Sequence, residues 1–470
     1  MIFFLRSILS LVSGNIGTTL LSIVTFPIFL KKIGVEQFGN WSFIIAISGL
    51  LAIFLNPGID TIINREVAAF RVKAKNLVQT AIGLRLSLLL LFHLLFVPLF
   101  VFFSDFNSTI NQLFIYYLLP QTIIGILTYE GIFFASEFFL LGSILRFLNQ
   151  SIFSIFIFFI VQSGDDILYA ACGSLLGSFL SIIIGWYFLK KEGYSIIPNF
   201  NFKKQYNLLK TSINYALSSF FSMMYAHGGV IIAKFLLSPH DLGIFSAAKR
   251  FIEIILEFIR IIQKPYVPRI TKLIEHKGDY LTYYRSLIRL VFMTAIPLIF
   301  LFYFNIKSIF LFLFDSSFLE SSQTVKYILP NLLFGLTANI FSGALIVFKK
   351  SDKYLLTIII SSIISLFVYL IGGSFFGIYG FCLGLLAGEI GVSLISYFYS
   401  RKKLEFLFTL SKFYKYALDL VAVILASLVF KYISDISVHI LLKIIISIIL
   451  YFPLLILLIR EDLKIFEEKI

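Results

Sequence analysis

Charged residues are scarce: Asp, Glu, Lys and Arg make up 14% of the 470 positions, against roughly 25% in an ordinary soluble domain. Long polar stretches are missing as well. The longest, Lys190 to Lys210 and Arg260 to Arg289, are too short to build an independent core and read as loops or amphipathic interfacial helices. Together these absences exclude a water-soluble core domain. Cysteine is nearly absent: Cys172 and Cys382 both lie inside apolar runs, which argues against a disulfide framework or a zinc site. Met1 to Arg6 lacks a strongly basic leader region and no small-residue cleavage site follows it, so this segment is expected to remain as the start of the first span.

What is present is apolar. Hydrophobic residues supply 59% of the chain and the mean hydropathy is +0.96. Crossing about 30 Å of hydrocarbon takes roughly 20 helical residues at about 1.5 Å each, and runs of that length recur from end to end. Fourteen spans are read: Leu9–Leu30, Trp41–Ile62, Leu77–Phe103, Phe114–Ala135, Gly142–Gln162, Ile167–Leu189, Ser212–Leu237, Leu242–Ile262, Leu287–Phe304, Val325–Phe348, Tyr354–Gly372, Tyr379–Tyr399, Tyr416–Ile433 and Ile440–Ile459. Ser308 to Phe314 is too short to span and reads as an interfacial turn or as the end of the ninth helix. The fold class is therefore an all-α integral membrane protein.

The formal charge of +14 sits in short clusters between these runs. No compact basic fold is left to present a nucleic-acid patch, and no nucleic acid is expected as a partner. The clusters serve topology instead. With the N-terminus in the cytoplasm, 28 of the 39 basic residues flank spans on that side, Arg65, Lys75, Lys190, Lys203 and Arg401 among them. Seven fall outside, including Lys31, Lys32 and Lys234, and four lie near span edges. This asymmetry predicts that both termini are cytoplasmic.

The chain also matches itself. At an offset of 204, Gly39 aligns with Gly243, Ser42 with Ser246, Arg65 with Arg269 and Arg85 with Arg289. At 210, Pro120 falls on Pro330, Gly125 on Gly335 and Cys172 on Cys382. Six spans separate the repeats, so the two copies run parallel, related by an axis along the membrane normal. The expected organisation is a six-helix lobe over 1–210, a second over 211–405, and an additional two-helix hairpin over 406–470, with a substrate path between the lobes.

The duplicated segment Ile28 to Ser42, IFLKKIGVEQFGNWS, and its partner Leu236 to Ser246, LLSPHDLGIFS, resemble the glycine-bounded first external loop of Wzx-type polysaccharide flippases. With fourteen spans in two parallel lobes, the whole chain resembles the polysaccharide transporter branch of the multidrug/oligosaccharidyl-lipid/polysaccharide exporter superfamily. That resemblance implies an O-antigen type repeat-unit carrier in a bacterial inner membrane. It would move an undecaprenyl-pyrophosphate-linked oligosaccharide to the outer leaflet by alternating access. Coupling to H+ or Na+ is implied, with no cofactor, and a polysaccharide polymerase and chain-length regulator as partners beside membrane lipids.

The eighth span carries the strongest polar signal. Lys249, Arg250, Glu253, Glu257 and Arg260 recur at spacings of three, four and seven and form one stripe on a helix. At about 1.5 Å per residue from Leu242, Lys249 and Arg250 stand roughly 10–12 Å below the external interface. Intramembrane charge defaults to a functional reading. Two readings stay open: intrahelical ion pairs that only neutralise one another, or a net cation that binds pyrophosphate, with Arg taking its oxygens bidentately. The resemblance implies cavity-lining basic residues on this helix, at Lys249 and Arg250.

Arg85 in the third span and Arg289 near the start of the ninth are further substrate-binding candidates, although either side chain could snorkel to the interface. Glu253, Glu257, Glu389 and His227 are the coupling-ion candidates; a hydrogen-bonded core role for His227 is the plain alternative. Asn15, Asn149, Asn214 and Asn339 read as interhelical hydrogen-bonding residues. The acidic pair Asp165 and Asp166 has no catalytic domain around it, so an enzyme is not expected. The competing functions are a multidrug or other small-solute exporter, and a membrane polysaccharide polymerase or ligase. The latter needs a larger external loop than the roughly twenty residues from Asn305 to Thr324.

Overall fold

The computed structural model describes residues 2–69, 71–103, 108–136, 138–263, 279–404 and 429–433, together with 270 and 273–274. Among these the regular structure is helical, with no strand. Among the described residues nine helices are long and apolar enough to cross a membrane, or ten if one bent pair counts as a single span. The protein is a multi-pass helical membrane protein, as its hydropathy predicts. Most of the thirteenth span, all of the fourteenth and most of the 406–470 hairpin lie outside the described residues.

The chain divides into two compact units, Met1–Ser246 and Ala247–Ile470. In the first, α1 covers Ile2–Leu55, broken at Gly34, whose φ of 78° and ψ of 173° are non-helical. That positive φ suits glycine, which has no Cβ to clash there. Lys31 to Asn40 is thus helical on either side of one kinked residue, which corrects the expected external loop. Gly34 thus separates two helices, and Gly17 to Leu55 together make 39 residues, about twice what one crossing needs.

The second span was expected to reach Ile62, but the turn Asn56-Pro57-Gly58 stops α1 at Leu55, and α2 (Ile59–Ala69) follows. Proline lacks the amide that a continuing helix would use. Helix α3 is Arg71–Phe103. The expected fourth span is not one helix either. It comprises α4 (Ser108–Leu113), a π turn at Phe114–Leu118, α5 (Leu119–Gly125) with Pro120 in its first turn, and α6 (Glu130–Ala135). Trp186 ties this break down by donating its indole N–H to the Leu127 carbonyl at 2.7 Å. The unit continues through α7 (Phe139–Ile155), a π turn at Phe156–Ile160, α8 (Ile167–Lys191), α9 (Phe202–Leu236) and the start of α10 (Pro239–Gln263).

Close helix approach in this unit uses small residues and interhelical hydrogen bonds, the usual means of association in lipid. Asn149 donates to Ser178 Oγ at 3.3 Å, and Thr25 Oγ1 lies 2.7 Å from Ser154 Oγ. Lys32 fills a different role. Its ammonium donates to the Ile157, Phe158 and Val161 carbonyls at 2.9, 2.9 and 2.8 Å, where the helix that begins as α7 ends and its last carbonyls have no helical partner.

In the second unit α11 (Tyr280–Leu313) extends well past the expected end at Phe304. Ser308 to Leu313 is therefore the end of the ninth helix, not an interfacial turn. The connection expected to be external after Asn305 shrinks accordingly to the short 3-10 turn Ser316–Phe318. Helices α12 (Leu319–Ile328) and α13 (Asn331–Val347) follow, bent by 48° about the Leu329-Pro330 junction. The expected tenth span is this bent pair. Gly377 alone joins α14 (Ser351–Phe376) to α15 (Ile378–Leu404). These two pack closely: Ser365 Oγ donates to the Gly384 carbonyl at 2.8 Å, and Tyr369 stacks on Phe381.

Candidate functional site

The polar stripe of α10 forms as its spacing predicts. Within Ala247–Ile470, Lys249 is buried and its ammonium pairs with Glu253 Oε1, one helical turn away. Arg250 is 37% exposed; its Nη1 lies 3.0 Å from Glu257 Oε1 and 3.6 Å from Glu253 Oε2. Glu253 therefore faces two cations, while Glu257 is 47% exposed. The residue at the end of the stripe reaches another helix: Arg260 Nη2 stands 3.8 Å from Glu389 Oε1 on α15, whose side chain is only 12% exposed. Gly335 of α13 leaves room beside this pair, since a Cβ there would lie 3.4 Å from Arg260 Nη2 and 3.5 Å from the Glu389 carboxyl.

The chemistry of this arrangement follows from its exposure. A half-exposed ion pair such as Arg250–Glu257 is weak, worth roughly 0–1 kcal/mol, so its guanidinium fork can be given over to another bidentate anion at small cost. The buried Lys249 ammonium is held by one carboxylate that it shares with Arg250. Glu389 is a nearly buried acid with a cation at its edge, and Tyr369 stands among the buried residues of the same unit.

The remaining candidates fall elsewhere. Arg289 is buried on α11. Arg85 is buried in Met1–Ser246, 2% exposed, with its Nη2 2.6 Å from Asp60 Oδ1. It also donates to Asn56 Oδ1 from Nη2 at 3.0 Å and Nε at 3.3 Å, and to the Ile126 carbonyl at 3.2 Å. These bonds join α3 to the break after α1 and to the turn after α5. His227 is half-buried on α9. Asp166 takes a local role: its carboxylate accepts from the Gln162 and Ser163 amides at 2.9 and 3.0 Å, a capping box that opens the 3-10 turn Gly164–Asp166 just ahead of α8.

A model of the family described as polysaccharide biosynthesis protein matches residues 4–274, more than half of the chain. The chain belongs to that family. No curated protein matches it.

Solved structures show which fold this member of the polysaccharide biosynthesis family adopts. It is similar to the lipid II flippase MurJ in an inward closed conformation, with a TM-score of 0.75 and 17% identity over 98% of this chain and 100% of that one. It is also similar to a multidrug resistance MATE family transporter of the MOP superfamily, at TM-score 0.65 and 16% identity over 83% of this chain and 95% of that one. A third likeness is to a MOP superfamily transporter from Pyrococcus furiosus, at TM-score 0.61 and 15% identity over 86% and 95%. The family match takes in the α10 stripe and Arg85, and ends before Arg289 and Glu389.

Asp60 and Asn56 are polar partners that the sequence pattern left unassigned, and Arg260, already part of the stripe, was given no partner on another helix. An Asn-Pro-Gly break next to an acid inside an apolar run was the available signal for the first two. The approach of Arg260 to Glu389 spans 129 positions and has no local signature.

Proposed function

We propose that the protein is a flippase for a pyrophosphate-linked lipid oligosaccharide, with undecaprenyl as the lipid, working by alternating access in a bacterial inner membrane with both termini cytoplasmic. The observation that carries this reading is the family match across the α10 stripe, taken with the full-length likeness to a lipid II flippase. A headgroup of sugars and pyrophosphate cannot cross hydrocarbon unaided, because each stripped polar group costs several kcal/mol. In this account the Arg250 fork exchanges Glu257 for pyrophosphate oxygens, and Lys249 adds a point charge one position away.

Arg289 and Arg85 are assigned to the substrate path as secondary cations, Arg85 through its pair with Asp60. Glu253, Glu257, Glu389 and His227 are the proposed H+ or Na+ groups. Of these Glu389 is favoured, since a nearly buried acid responds most strongly to protonation. The six-span duplication, with lobes over 1–210 and 211–405 and an added hairpin over 406–470, belongs to the same proposal, as do a polymerase and a chain-length regulator as partners.

The test is transport itself. Proteoliposomes holding the purified chain and a fluorophore-tagged undecaprenyl-pyrophosphate oligosaccharide are exposed to an impermeant reductant. Bleaching beyond the outer-leaflet half, at a rate that depends on protein, is expected. The likeness to a multidrug transporter supplies the second reading, export of small solutes. Tagged lipid bleached no faster than in protein-free vesicles, beside protein-dependent movement of a lipophilic cation, would replace the first reading with the second.

A further inference from the structure

The connection from α8 to α9 combines features that neither water nor hydrocarbon accommodates. From Gly193 to Asn201 the backbone has no regular structure, and lipid-exposed irregular backbone is excluded from the hydrocarbon core because its polar groups go unsatisfied. Yet Ile196, Ile197, Phe200 and Phe202 are 52, 68, 54 and 82% exposed, and four large apolar side chains in one short stretch are unfavourable in water. Only the headgroup boundary satisfies both.

The stretch is also held in place. The Asn199 amide donates to the Gln79 carbonyl on α3 at 3.0 Å, and Gln205 donates back to the Asn199 carbonyl at 3.0 Å. Gly83 has no Cβ where one would run into that carbonyl. Tyr194 is buried, with the Lys75 ammonium 6.0 Å from its ring centre. The exposed apolar residues are therefore presented by a segment fastened to α3.

Around them stand Lys190, Lys191, Lys203, Lys204 and Lys210, all exposed, with Glu192 as the single acid from 190 to 210. A lysine near an acidic membrane surface adds roughly a five-fold preference for it. The geometry points to a function for this connection: it is an interfacial anchor that seats Ile196, Ile197, Phe200 and Phe202 in the headgroup boundary and gathers acidic phospholipid around its lysines. The occupant is the acidic cytoplasmic leaflet, by charge complementarity and by the basic bias of that side. Fastened to α3, the anchor fixes the depth at which α8 and α9 meet the surface.

The test uses the full chain with Cys172→Ser and Cys382→Ser, carrying one environment-sensitive fluorophore on a cysteine at Ile197 or Phe200. A reference label sits at Ile183, exposed on α8. The proteins are placed in nanodiscs of phosphatidylcholine with a minor share of phosphatidylglycerol, with bromine on the acyl chains of one lipid or the other. At positions 197 and 200 a blue-shifted emission is expected, quenched by brominated phosphatidylglycerol severalfold more than its mole fraction gives at Ile183. Lys203→Gln/Lys204→Gln/Lys210→Gln should remove that excess. Water-like emission without bromolipid quenching would overturn the anchor. Quenching that follows bulk composition in the unaltered lysine background would overturn its selectivity for acidic lipid, whatever the triple variant's yield.

Discussion

Gly39 and Gly243 meet backbone to backbone. A Cβ on Gly39 would lie 2.9 Å from the Gly243 amide nitrogen, and a Cβ on Gly243 would run into the Val35 carbonyl. These are the two positions that the offset of 204 pairs, and the absence of both side chains lets the two backbones meet here within Met1–Ser246. Gly39→Ala and Gly243→Ala should each destabilise the protein by about 1–3 kcal/mol, the usual cost of overpacking, with Gly243→Ala the worse. Gly125→Ala, where a Cβ would meet nothing within 4 Å, is the control. Thermal melting of the detergent-solubilised protein should fall for the first two and hold for the third.

Arg85 is held by Asp60, Asn56 and a backbone carbonyl. Removing one member of such a pair leaves the other without its partner, a loss of about 3 kcal/mol when both are fully buried and less here because Asp60 is 33% exposed. Arg85→Met should therefore lower the melting temperature, and Arg85→Met/Asp60→Asn should recover part of it. Unchanged melting with lost lipid flipping would leave Arg85 with its place in the substrate path and no part in holding the fold.

Topology follows from the basic clusters. An alkaline phosphatase fused after Lys204 should be inactive, and a fusion after Ser238, in the connection between α9 and α10, should be active. The opposite pattern would invert the orientation and displace the acidic-leaflet anchor with it.

Much of the fold was legible because apolar runs of spanning length have few alternatives to helix in lipid. Helix breaks were less so. The segment around Gly34 looked like a loop because it is polar, yet a single residue with positive φ lets helix persist on both sides. The Asn56-Pro57-Gly58 break was written in the sequence but sat inside an apolar run that masked it. Lys32 was legible only as a topological charge; its carbonyl partners lie 125 to 129 residues away. The α10 stripe was legible, being local, and so were the ion-pair partners of Lys249 and Arg250. Glu389 was legible as an intramembrane acid, but its approach to Arg260 depends on how α15 packs in the second unit.

The central claim is that Lys249 and Arg250 carry the pyrophosphate, and the most direct measurement is surface-glycan export in a flippase-deficient host complemented with Lys249→Ala/Arg250→Ala, at verified membrane abundance. Loss of two charged hydrogen bonds, each worth about 1.5–3 kcal/mol, should collapse export by at least tenfold. Arg250→Lys should impair it more than Lys249→Arg, because only Arg supplies a planar fork. Full export from the double variant at normal abundance would contradict the account and leave the stripe as a set of internal ion pairs.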